Sequence, residues 1–193
     1  MSNLKHQDDN FSVNYTDQFA IYKLSRYLRS IVPLDRGAYV VCCIGSDRST
    51  GDSLGPLTGS FLERYHLNKL HVYGTLHEPL HALNLAQRLD GINETFEKPF
   101  IIAVDAALGK FSSIGNIFCG KGPLHPGSAL NKDLPEIGHA HISATVNLNS
   151  QMNYLILQNT RLSIVYDMAT ILAACFYRLD LYLSEPSKHY YVQ

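Results

Sequence analysis

Ala38-Tyr39-Val40-Val41-Cys42-Cys43-Ile44, followed by Gly45-Ser46-Asp47-Arg48-Ser49-Thr50-Gly51-Asp52, is the stretch whose reading decides the fold. Seven apolar residues in an unbroken run, with no alternation, mark a strand buried on both faces. A polar loop holding two glycines follows, and a helix is expected from near Asp52 to about residue 65. The rhythm then repeats outward. Residues 70–74 and 99–104 read as further strands, the latter ending at Asp105. Pro79 reads as the first residue of a helix reaching about residue 93. Residues 113–119 and 141–148 read as strands, and residues 160–183 as a long final helix with a short helical approach. Upstream, Asp17 is placed to cap a helix over 18–31 that Pro33 ends. Strands alternating with helices predict an α/β domain: a mostly parallel central sheet covered on both faces.

The chain has 193 residues, 46% of them hydrophobic, which suits one domain with a sizeable core. Residues 1–14 read as a flexible N-terminal tail and 15–193 as a single α/β domain. Sixteen Lys and Arg balance seventeen Asp and Glu, so charge gives no case for nucleic acid or an anionic membrane as partner. The apolar runs are short of bilayer length and the polar start lacks a signal pattern, which predicts a cytoplasmic protein. The four cysteines, Cys42, Cys43, Cys119 and Cys175, show no CxxC spacing and read as reduced, buried packing thiols. The Tyr-rich final helix reads as core, with room for a self-association face.

In open α/β sheets, sites gather at the carboxyl ends of strands. That rule selects the loops 45–52, 105–110 and 121–128. Asp52 alone reads as a helix cap, and Asp105 alone as a residue fixing its loop. Together they are more informative. Two carboxylates in one cleft repel, so one stays protonated while the other is ionised. That division lets one activate water and the other protonate a leaving nitrogen. Asp47 is a third carboxylate in the first loop, also explained by an exposed turn beside Arg48. His77-Glu78-Pro79-Leu80-His81 matches the HExxH pattern of zinc proteases. Pro79 inside it keeps His77 and Glu78 off a helix, so the spacing loses its meaning; Glu78 could still line the cleft. His139 and His141 read as packing or surface residues.

The loop from Gly45 to Asp52-Ser53-Leu54-Gly55-Pro56 resembles the first motif of the germination proteases of spore-forming bacteria. Val104-Asp105-Ala106-Ala107-Leu108 is similar to their second motif, and His125-Pro126-Gly127-Ser128 to their third, in the same order. A shorter group, the YyaC-type sporulation proteins, gives the fullest resemblance. It covers about residues 40–183 and includes Leu134-Pro135-Glu136-Ile137-Gly138 and Leu157-Gln158-Asn159-Thr160-Arg161-Leu162-Ser163. The resemblance implies a three-layer αβα sandwich shared with hydrogenase-maturation endopeptidases. It implies a peptidase-like domain with Asp52 and Asp105 as catalytic residues, and a protein or peptide substrate such as a small acid-soluble spore protein. It also places the chain in the forespore or mother-cell cytoplasm. The endopeptidase relatives bind metal. By that resemblance Asp52, Asp105 and His125 form an alternative site for a divalent ion, nickel or zinc; the primary reading needs no cofactor. A third reading keeps the fold as a non-catalytic spore scaffold or binding protein. The chain departs from the proteases in being shorter, in lacking an evident pro-segment and in having Ser46 where they have Asn.

Overall fold

A computed structural model describes residues 10–127 and 134–185. The elements run β1 (Asn10–Asn14), α1 (Ala20–Ile31), β2 (Tyr39–Cys43), a 3-10 turn (Gly51–Ser53), α2 (Leu54–Leu62), β3 (Leu70–Tyr73) and α3 (Leu85–Thr95). They continue with β4 (Phe100–Gly109), a second 3-10 turn (Phe111–Ser113), β5 (Asn116–Lys121), β6 (Ala140–Leu148), α4 (Asn153–Gln158) and α5 (Leu162–Ser184). The strands form one six-stranded sheet in the order β1-β5-β6-β4-β2-β3. β3, β2, β4 and β6 pair in parallel. β5 runs antiparallel to β6 and to β1. The fold is therefore mixed α/β with a mostly parallel sheet.

Strand periodicity sorts the core into two clusters. In β2, Val41 and Cys43 join Leu24 and Leu28 of α1 and Leu172 and Phe176 of α5. Val40 and Cys42 join Leu85 and Ile92 of α3. The adjacent cysteines thus face opposite ways, as a period of two requires. All four cysteines are buried free thiols, and burial pushes Cys42 up to about 12. Each large side chain fully removed from water contributes about 1.5–3 kcal/mol. Leu24, Leu28, Leu54, Met168 and Phe176 are all in that state.

Several boundaries differ from expectation. Asn10–Asn14 is not part of a loose tail: it is an edge strand, with Phe11 opposite Cys119 and Val13 opposite Ile117. Its Phe11 stacks on Tyr27 of α1, so a polar-looking segment is held by alternate apolar residues. Residues 1–9 of the expected tail lie outside the described residues. The third helix starts at Leu85, not at Pro79. Leu80 instead bridges in parallel to Ile44, and Gly45 donates to its carbonyl at 2.9 Å. Asn84 then organises the turn, accepting from the His81 amide at 2.8 Å and donating to the Pro79 carbonyl at 3.0 Å. β5 begins at Asn116, after a 3-10 turn. Finally, α5 is a 23-residue helix long and apolar enough, by length and composition, to cross a membrane, where no such stretch was expected. Here its apolar side (Val165, Met168, Leu172, Phe176 and Leu179) belongs to the core beneath the sheet.

α5 also carries Asp180, whose side chain has no exposure. Its carboxylate accepts from the amides of Asn68, Lys69 and Leu70 at 2.8–3.1 Å. A buried carboxyl group is tolerated where several donors satisfy its oxygens. The result fixes the turn between α2 and β3.

Candidate active site

β2 and β4 pair up to Cys43 opposite Val104, and the Ile44 amide donates to the Val104 carbonyl at 2.7 Å. There β2 stops, but β4 does not. Contrary to the expected strand end at Asp105, β4 runs on to Gly109, paired with β6 and irregular between Ala107 and Leu108. Asp105 therefore lies inside a strand, one residue past the point where its neighbour leaves. Ile102, Val104 and Ala106 face the core of α1 and α5, and Ile101 and Ala103 face that of α3. By alternation Asp105 shares the face of Ile101 and Ala103, where the departing chain opens a cleft.

The chain leaving β2 supplies the other carboxylate. Gly45 has φ +145°, and a Cβ there would lie 2.0 Å from the Asp52 carbonyl. Only glycine allows the loop to close so tightly, with the Ser46 amide donating back to that carbonyl at 3.2 Å. Gly55 is the second such point: a Cβ would lie 2.1 Å from the Ile44 carbonyl. These two contacts seat the start of α2 against the end of β2. The Gly51–Ser53 turn rests on Leu157 and Thr160 at the end of α4 and just beyond it. Thr160 is held in turn by the Asn147 amide at 3.2 Å. Neither the 3-10 turn nor α2 has a side-chain cap. The N-cap positions are Thr50 and Ser53, so Asp52 lies inside the turn and not at the cap position it resembles in isolation.

Asp52 and Asp105 line one cleft of about 510 Å³, together with Gly45, Ser46, Asp47, Arg48, His77, His81, Leu83, Gly127 and Leu134 among others. Asp105 is 7% exposed. Burial, then the charge of Asp52, pushes its carboxyl up to about 8. Two backbone amides pull the other way: Ala106 N donates to Oδ1 at 2.9 Å and Gly127 N to Oδ2 at 3.3 Å. Burial wins, so Asp105 carries a proton at neutral pH. Asp52 is half-buried and nearer the solvent.

The third motif enters the site through its backbone. The Gly127 amide reaches Asp105, whereas the His125 side chain is 71% exposed and pairs with Glu136 at 3.0 Å. Leu124 and Ile137 bridge behind it, so the 134–138 segment braces the turn that delivers Gly127. The cleft brings Asp52 and Asp105 together and leaves His125 out of its lining. Among the described residues, no three His, Cys, Asp or Glu side chains gather in a way that could hold a metal ion. The donor set proposed for nickel or zinc thus does not fit this arrangement. Ser128 lies outside the described residues.

Asp47 does line the cleft. The turn beside it is made by Ser46, whose Oγ accepts from the Arg48 amide at 3.2 Å. Residues 77–81 are not helical. Even so, both histidines line the cleft, while Glu78 lines an adjoining hollow that shares His77 and Pro79 with it, and pairs with Arg88 at 3.7 Å. Sequence reasoning set these histidines aside and missed Gly127. The available signals were the Pro79 turn beside a strand end and the tight His-Pro-Gly sequence.

Residues 12–175 match the family described as "protein of unknown function (DUF1256)". The chain belongs to the DUF1256 family. It is 48% identical over 162 residues to the uncharacterized protein YyaC of Bacillus subtilis (strain 168), covering 83% of this chain and 79% of that one. The match to DUF1256 spans the Asp52 loop, Asp105, Gly127 and both cleft histidines, so the whole candidate site lies inside the family's shared region.

Proposed function

We propose that this chain is a hydrolase of the sporulating cell, an endopeptidase-like protein acting through the pair Asp52 and Asp105. The observation that carries the reading is the cleft that Asp52 shares with the buried Asp105. A buried carboxyl raised to about 8 beside a second carboxylate in the same cleft is a ready acid–base pair. Asp52, as base, takes a proton from water as the oxygen adds to the peptide carbonyl carbon. The carbonyl π electrons move to its oxygen. When they return, the C–N bond breaks and Asp105 gives its proton to the departing nitrogen. The products are an acid and an amine, and the proton now on Asp52 passes back to Asp105, restoring the pair. The finer architecture proposed is a three-layer αβα sandwich, with α1, α2 and α5 on one face and α3 on the other. The spore setting, and a small acid-soluble spore protein as substrate, rest on the resemblance of the three motifs to germination proteases.

The test is cleavage of a purified small acid-soluble spore protein, followed by intact mass. The wild type should cut it, and Asp52→Asn and Asp105→Asn should each be slower by at least about 100-fold. Full activity in both variants would overturn the assignment. No cleavage by the wild type, with a stable partner retained from sporulating cells, would favour the scaffold reading.

A further inference from the structure

We propose that His81 is a third catalytic residue of this cleft, an imidazole whose Nε2–H donates to the carbonyl oxygen as it becomes an oxyanion. The inference rests on the hydrolase reading above and adds the group that reading lacks. An acid and a base move protons, but negative charge still grows on the carbonyl oxygen and needs a fixed donor in a water-poor site.

His81 is the candidate for such a donor. It is half-buried and lines the cleft that holds both aspartates. Its backbone is clamped: the His81 amide donates to Asn84 Oδ1 at 2.8 Å, and its carbonyl accepts from the Asn84 and Leu85 amides at 3.0 and 2.9 Å. Its ring is oriented as well. The Leu83 amide donates to His81 Nδ1 at 3.3 Å. A backbone N–H can only donate, so Nδ1 must offer a lone pair and the ring proton sits on Nε2. With Nδ1 engaged by the turn, the Nε2–H is left as a directed hydrogen-bond donor. That leaves the acid–base roles with Asp105 and Asp52. The preceding residue, Leu80, is locked to the end of β2 through Ile44 and Gly45, so His81 is held to the same framework as Asp52.

Two measurements test this. Nitrogen NMR of the His81 ring should show the Nε2–H tautomer in its uncharged form; an Nδ1–H tautomer would overturn the proposal whatever any variant does. Cleavage kinetics on the small acid-soluble spore protein should show His81→Phe lowering kcat about 100- to 1,000-fold with KM little changed. His81→Gln, which keeps a side-chain N–H, should recover part of that loss. Unchanged melting temperatures would show that both variants fold. If Asp52→Asn and Asp105→Asn are inactive but folded His81→Phe keeps the wild-type kcat, His81 is not catalytic and the aspartate reading survives. If the wild type cleaves nothing, the hydrolase reading fails and this proposal fails with it.

Discussion

Asp52 raises the proton affinity of Asp105. Its charge is the second cause of that shift, behind burial. The ranking makes a specific prediction. In Asp52→Asn, the Asp105 carboxyl should titrate lower than in the wild type, yet still well above an ordinary carboxylate, because its burial is unchanged. Carbon NMR of the labelled Asp105 carboxyl reads this directly. An Asp105 titration identical in the two proteins would mean that the side chains do not sense each other, and the pair would lose its basis.

The same shift predicts a pH dependence of stability. Folded Asp105 keeps its proton to about pH 8, while the unfolded chain loses it near 3.8. Between these values the folded state binds more protons, so stability falls as pH rises, by at most about 1.4 kcal/mol per pH unit for this group. The Asp105 contribution is complete below about pH 4 and gone above about pH 8. Asp105→Asn should therefore lose less stability than the wild type between pH 5 and pH 8. Urea unfolding at several pH values compares the two slopes; parallel slopes would contradict a buried, protonated Asp105.

The buried strands were legible because an unbroken apolar run such as 38–44 has few other readings. The two aspartates were legible because each ends or follows such a run. What the one-dimensional pattern hides is where a neighbour stops. Asp105 looks like a strand end, but β4 continues while β2 departs, and only pairing reveals that. Pro79 is a fair helix start by local preference. Here the hydrogen bond from Gly45 to Leu80 and the Asn84 turn hold residues 79–84 extended or turned until Leu85. His125 drew attention as an imidazole, whereas its motif contributes the Gly127 amide, a group every residue but proline carries. Asp180 gave no signal at all, because a lone acid in an apolar helix usually marks a solvent-facing position.

Asp180 should prove a structural keystone without belonging to the cleft. Replacing it with Ala removes the acceptor for three amides leading into β3 and leaves the buried Leu70 amide unpaired. The expected loss is about 2–4 kcal/mol, from the lost hydrogen bonds and the orphaned Leu70 amide together. Chemical denaturation measures it. A loss below about 1 kcal/mol would mean that water or a relaxed turn replaces the carboxylate.

Gly55 offers the sharpest separation of position from chemistry, because it carries no reactive group. In Gly55→Ala the new methyl would sit 2.1 Å from the Ile44 carbonyl, with other Ile44 backbone atoms within 3 Å. Backbone cannot swing aside as a side-chain tip can, so α2 must move away from β2 and carry the Gly51–Ser53 turn with it. Overpacking of this kind costs about 1–3 kcal/mol, and a clash with backbone belongs at the upper end. The displacement also takes Asp52 away from Asp105, so the Asp105 carboxyl should titrate lower, in the same direction as in Asp52→Asn although both acids are present. A Gly55→Ala protein with wild-type stability and an unshifted Asp105 would show that this close approach does not position the pair.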